Sequence, residues 1–153
     1  MQPLPHQYSV NATVLPGAGV DLTTDGAQPL PSDAPPEFDG PAGLWSPETL
    51  LVGAVADCFA VTFRGVARAS QLIWHGMTCD VVGTLNKVDG VMKFTDVELR
   101  VRLVLSEPDD RPLAERVLDK AKRSCLITNS MTAQVRLTAT IEARTIGAYG
   151  RTA

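Results

Sequence analysis

The chain has 153 residues, of which 44% are hydrophobic and 20% charged, with a net charge of −3 and an isoelectric point near 5.3. That length predicts one domain able to bury about two thirds of its unfolded surface without a disulfide or metal staple. The acidic balance argues against nucleic acid as the main partner, and three cysteines are too few for a disulfide scaffold.

The opening Met1-Gln2-Pro3-Leu4-Pro5-His6 has neither the basic nor the apolar region of a signal peptide. The apolar run Leu50–Phe63 is interrupted by Asp57 and falls short of the roughly 20 residues that span a bilayer. Both features predict a cytoplasmic protein without a membrane partner. No CxxC occurs and neither His6 nor His75 lies at ligand spacing to a cysteine, so no zinc site is expected. Charge is unevenly placed: no Lys or Arg precedes Arg64, whereas seven acidic residues do.

In chain order, Tyr8–Val14 alternates apolar and polar residues, the pattern of a half-buried strand. Gly19–Thr23 is placed to pair with it after the Pro16-Gly17 turn. Pro29–Gly43 holds five prolines and reads as a loop. Ser46 then caps a helix, with Pro47 at the first helical position and Glu48 at the positive end of the dipole. This helix is apolar nearly all round from Leu50 to Phe63 and is expected to end near Ser70. A helix of that kind is buried on most sides. Its lone mid-helix charge, Asp57, needs a partner or solvent.

Met77–Lys87 and Phe94–Leu105 read as strands joined at Asp89-Gly90, a strong hairpin signal. In the second strand Val97, Leu99, Val101, Leu103 and Leu105 share one face, opposite Glu98, Arg100 and Arg102. A second helix starts at Pro108-Asp109-Asp110 and carries Leu113, Val117, Leu118 and Ala121 at helical spacing. Thr132–Arg144 returns to alternation, and the ends, residues 1–7 and 147–153, are expected to be flexible tails. Strands segregated from helices predict an α+β fold with antiparallel sheets and two main helices. The first helix is too apolar for one small sheet to cover, which favours a homodimer.

Two cysteines stand in unlike settings. Cys58 is surrounded by Ala56, Phe59, Ala60 and Val61, where burial should raise its pKa and leave it an inert packing thiol unless something opposes that. Cys125 follows Lys122-Arg123-Ser124, where one helix ends. If a short helix starts there, its N-terminus favours a thiolate at Cys125. Cys79 lies in Met77-Thr78-Cys79-Asp80-Val81, an ordinary strand context. Trp45 and Trp74 flank the first helix and suit packing or the wall of a pocket.

The stretch from Ser46-Pro47-Glu48 through Leu50-Leu51 to Cys58, together with Cys125-Leu126-Ile127-Thr128-Asn129-Ser130, resembles the OsmC/Ohr family of thiol-dependent hydroperoxide reductases. The likeness runs from about Tyr8 to Ile146. It implies an intertwined homodimer with the long helices packed centrally. It also implies a two-cysteine cycle: Cys58 attacks a hydroperoxide and becomes a sulfenic acid, and Cys125 resolves it as a disulfide. An external dithiol, such as a lipoylated protein, would reopen that disulfide, and no metal, flavin or haem is required. Glu48 matches the glutamate that, in peroxidase members, pairs with an arginine from the N-terminal segment. This chain departs from the pattern there, since His6 is the only cation upstream of Arg64. Arg64, Arg68, Arg100 and Arg102 are the candidates to replace it. Two other readings follow from the departure: a small-molecule binder whose thiols are idle, and an interaction protein that engages a partner through the Pro-rich loop.

Overall fold

The computed structural model describes residues 2–143. The chain divides into two compact units, Met1–Leu51 and Val52–Ala153, taken here in turn.

In the first unit, β1 (Asn11–Val14), β2 (Val20–Thr23) and β3 (Leu30–Ser32) form an antiparallel sheet in sequence order, with Val14 opposite Val20 and Val20 opposite Ser32. The expected pairing of the first two strands is present. The expected half-burial of the first is not, since β1 is exposed along its whole length. Alternation announces a pleat, but no layer covers this strand within its own unit. The Pro-rich stretch is also more ordered than a loop. It supplies β3, an edge strand whose Pro31 needs no partner for a missing N–H, and then a single 3-10 turn at Pro36–Phe38. Residues 2–7 are exposed and without regular structure, whereas 147–153 lie outside the described residues.

The long helix α1 (Pro47–Ala69) starts as its cap residues dictate. Ser46 Oγ accepts the Thr49 N–H at 3.2 Å, and the Ser46 N–H donates back to Thr49 Oγ1 at 2.8 Å. This is a reciprocal capping box with Thr in the place of the usual Glu. At the other end the Leu72 N–H reaches the Ala67 carbonyl, and Gln71 takes a left-handed φ of 56°, which closes the helix. Its 23 residues make α1 long and apolar enough to cross a membrane by length and composition. The interrupted apolar run alone had not indicated this, because the helix carries on through Arg64 and Arg68.

The second unit is a three-stranded sheet with helices against it. β4 (Trp74–Val88) and β5 (Val91–Leu105) form a long antiparallel hairpin. Its turn is made by Asp89 and Gly90 at φ 52° and 83°, the two left-handed positions that a tight hairpin turn demands. β6 (Gln134–Ala143) lies parallel to β5, so this sheet is mixed where antiparallel pairing was expected throughout. The reason is the connection: α2 (Arg111–Ser124) and the one-turn α3 (Leu126–Asn129) carry the chain back across the sheet before β6 begins, the crossover that parallel neighbours require.

The core is where the two periodicities meet. Val55, Phe59, Phe63 and Ala67 form an i, i+4 stripe on α1, buried with Val97, Leu99, Val101, Leu103 and Leu105 of β5. α2 adds Ala114, Val117, Leu118 and Ala121, with Leu113 partly buried against them. Trp74 stands edge-on to Phe63, ring centroids 5.2 Å apart, and so is a packing residue. Trp45 belongs to the first unit, where it bridges to Ser32 and is about half exposed. Close approach of α1 to the hairpin is marked at Gly83, where a Cβ would lie 2.8 Å from both Val52 and Phe94.

Candidate active site

Cys58 sits one residue before the buried Phe59, so the stripe that seats α1 on the sheet leaves its thiol half-buried at the edge of the core. Cys125 occupies the single extended residue between α2 and α3, at φ −70° and ψ 113°, and is almost completely buried. The break is set locally. α2 stops at Ser124, and α3 restarts with the Asn129 N–H bonded to the Cys125 carbonyl and the Thr128 hydroxyl donating to the same oxygen. That brief interruption turns the Cys125 side chain into the core and frees the N–H groups of Leu126 and Ile127.

These pieces converge on Cys58. Burial alone would push its thiol up, as the apolar sequence around it suggests. That effect is outweighed by the influence of neighbouring donors, first the Ile127 backbone, then the Cys125 thiol, the Leu126 backbone and the Thr62 hydroxyl, and the net result is a thiol held below its ordinary range. The physical cause is that each donor stabilises the thiolate and not the thiol. The short helix expected to start at Cys125 is present, with Cys125 as its N-cap, and its first two residues are also among the causes of the lowered Cys58 pKa. Thr62 was missed altogether. Its spacing of four residues from Cys58 on one helix is the signal that would have found it.

The replacement cation anticipated from the sequence is not among the groups that lower the Cys58 pKa. Arg100 is engaged by Glu98 at 2.7 Å and Arg102 by Glu142 at 3.0 Å. Strand alternation puts both on the face of β5 opposite the buried Leu99, Val101 and Leu103. Arg64, Arg68 and Asp57 are exposed on α1. Glu48 lies in the first turn of α1, within the first unit, and its Oε2 is buried without a hydrogen-bond partner among the described residues.

Cys79, on β4 opposite Val101, behaves as the ordinary strand residue the sequence indicated, with one addition. Its thiol is pushed up to about 11 by burial first, then by the charges of Asp80 and of Cys125. It is thus a protonated neighbour of the thiol pair. Among the described residues no group of His, Cys, Asp and Glu is arranged to hold a metal ion.

Comparison with known proteins places the fold. The profile of a family described as OsmC-like protein matches residues 40–140. The uncharacterized protein YmaD of Bacillus subtilis is 30% identical over 106 residues, covering 67% of this chain and 71% of that protein. Among solved structures, an OsmC-like protein of unknown function from Vibrio cholerae superposes with a TM-score of 0.79 at 22% identity, over 89% of this chain and all (100%) of that one. An organic hydroperoxide resistance protein from Elizabethkingia anophelis gives 0.71 at 17% identity, over 92% of this chain and 100% of the other. The organic hydroperoxide resistance protein OhrB of Bacillus subtilis gives 0.65 at 22%, over 90% and 98%. At these identities the structural likeness speaks for the fold.

Proposed function

The chain belongs to the OsmC-like protein family, and from that premise we propose that it is a thiol-dependent peroxidase acting on organic hydroperoxides in defence against oxidative damage. The observation that carries the reading is a Cys58 thiol held below its ordinary range, with the Cys125 thiol among the causes, and packed against the core cluster that contains Cys125. A lowered thiol beside a second thiol is what the chemistry needs, and it speaks against the idle-thiol binder that the absent N-terminal arginine had raised. Further support comes from the solved structures of similar fold that are named as organic hydroperoxide resistance proteins.

In this reading the Cys58 thiolate attacks the distal peroxide oxygen. The O–O bond breaks, the sulfur is oxidised to a sulfenic acid, and the alkoxide leaves and takes up a proton as the alcohol. Cys125 then attacks the Cys58 sulfur, expelling the hydroxyl as water, and the pair ends as a disulfide. A dithiol such as a lipoylated protein returns both thiols by exchange. The four donors around Cys58 do the work of the missing cation: they favour the thiolate without adding a charge. Leu126, whose own N–H faces the sulfur, exposes its side chain beside the pair, an apolar contact for the tail of an organic peroxide. A second copy of the chain is part of the proposal, because much of the apolar α1 surface outside the buried stripe is left open, including Leu51 and Val61.

The test is one equivalent of cumene hydroperoxide followed by intact-mass analysis and non-reducing peptide mapping. Loss of two hydrogens with Cys58 joined to Cys125, reversed by dihydrolipoamide, is the expected result. Unchanged free thiols at both positions would overturn the proposal.

A further inference from the structure

The side of α1 opposite its buried stripe is open. Val55, Phe59, Phe63 and Ala67 occupy one side of the helix. The other side carries Ala54, Asp57, Val61, Gly65 and Arg68 at helical spacing, with Arg64 at its margin. Val61 is 50% exposed, Asp57, Arg64, Gly65 and Arg68 are exposed, and nothing lies within 4 Å of the place a Cβ on Gly65 would take. Of the 18-residue window that makes α1 apolar enough for a bilayer, only 22% is buried. Two charges interrupt this face without an answer on their own helix. No opposite charge stands three or four residues from Asp57 or from Arg64, and neither forms an ion pair among the described residues. They lie about 10.5 Å apart along the axis, at about 1.5 Å per residue, too far to meet each other. Arg68, one turn beyond Arg64, adds a like charge to the same side.

We propose that a second copy of the chain docks on this face, helix against helix and antiparallel, with the two-fold axis between Ala60 and Val61, so that Asp57 of each copy meets Arg64 of the partner subunit. An isologous contact repeats every pair about its axis, so both unanswered charges on each helix are satisfied at once. Val61 meets its own counterpart at the axis. Gly65, with open space above it beside Arg64, leaves room for the incoming Asp57. Pairing also offsets the repulsion between Arg64 and Arg68. The same charges decide against a lipid surface, which would desolvate Asp57, Arg64 and Arg68 with nothing to pair them. The inference rests on the second copy in the reading above, for which it names the surface and the register, and not on the thiol chemistry.

The experiment is sedimentation equilibrium of the full chain, wild type and charge-reversed. Asp57→Arg and Arg64→Asp each set like charges against each other across the axis, and each should weaken self-association on the order of a hundredfold. The double variant, and a one-to-one mixture of the two single variants, should regain the wild-type dimer, because opposite charges then face each other again. That rescue separates the contact from poor folding, since mixing does not repair a misfolded chain. A wild type that stays monomeric overturns the inference together with the second copy, and flotation of that monomer with phosphatidylcholine vesicles gives the face to lipid. A wild-type dimer whose dissociation constant neither reversal moves overturns the inference and leaves the second copy docked elsewhere. Single variants that dissociate without rescue by the double variant or the mixture overturn the Asp57–Arg64 pairing. Should the wild type fail to form the Cys58–Cys125 disulfide with cumene hydroperoxide while the reversals and their rescue behave as expected, the peroxidase reading falls and the contact stands.

Discussion

Cys58 in the middle of α1 packs against the core cluster that holds Cys125 at the break between α2 and α3, and the Cys125 thiol is one cause of the lowered Cys58 pKa. A disulfide between them needs Cα atoms about 4.4–6.8 Å apart. Replacing either cysteine separates the two halves of the cycle. Cys58→Ser should abolish consumption of cumene hydroperoxide. Cys125→Ser should leave one round of oxidation intact, with Cys58 trapped by dimedone as a sulfenic acid and driven to the sulfinic state by excess peroxide. Mass mapping of each variant checks this, and a Cys125→Ser protein that turns over many equivalents with dihydrolipoamide would contradict it.

Cys79 and Cys58 should part company on raising the pH. With a thiol near 11, Cys79 is ionised in only about one molecule in a thousand at pH 8, so iodoacetamide should label Cys58 far faster.

The same shift has a stability consequence of definite sign. The folded pKa of Cys79 lies above its ordinary 9.0, so its contribution is complete below pH 9 and is lost as pH rises through about 11. Cys58 is opposite: its folded value lies below the ordinary one, so its contribution is present above that ordinary value and is lost as pH falls through the folded value. Urea midpoints measured between pH 9 and 11 should therefore fall more steeply for the wild type than for Cys79→Val. Parallel curves would show that Cys79 is not the group responsible.

Arg100 and Arg102 are bound to carboxylates on the outer face of β5, so neither should govern the thiol. Arg100→Gln and Arg102→Gln are expected to leave the pH midpoint of Cys58 alkylation where it is. Each should change stability little, as expected of an exposed, solvent-screened ion pair. A shifted midpoint in either variant would restore that arginine as the missing cation.

Gly83→Ala should be costly on steric grounds alone. Its new methyl would sit 2.8 Å from Val52 and from Phe94, and relieving such overpacking typically costs about 1–3 kcal/mol. The urea midpoint should drop accordingly, and an unchanged midpoint would mean that α1 and the hairpin move apart without penalty.

Much of the fold was legible because its elements are written in local rules. The Ser46-Pro47 start, the Asp89-Gly90 turn and the alternation of Val97 to Leu105 each depend on residues a few positions apart, and all three appear as read. The direction of β6 was not legible. Whether a strand runs parallel or antiparallel is decided by the crossover that precedes it, and strand alternation is the same either way. The exposure of β1 was hidden for a related reason: alternation states which residues share a face and leaves open what covers that face.

The sequence by itself determined that Cys58 lies on an apolar helix, that Cys125 lies at a helix break, and that no basic residue precedes Arg64. From those facts alone Cys58 is a buried thiol with a raised pKa, and the question of what activates it has no answer within its own segment. Only the tertiary structure decided the matter. It brought the N–H groups of Leu126 and Ile127 and the thiol of Cys125 to a sulfur on a distant helix, beside the hydroxyl of Thr62. A thiol's pKa depends on the donors within a few ångströms of it, and which donors those are is a property of the fold.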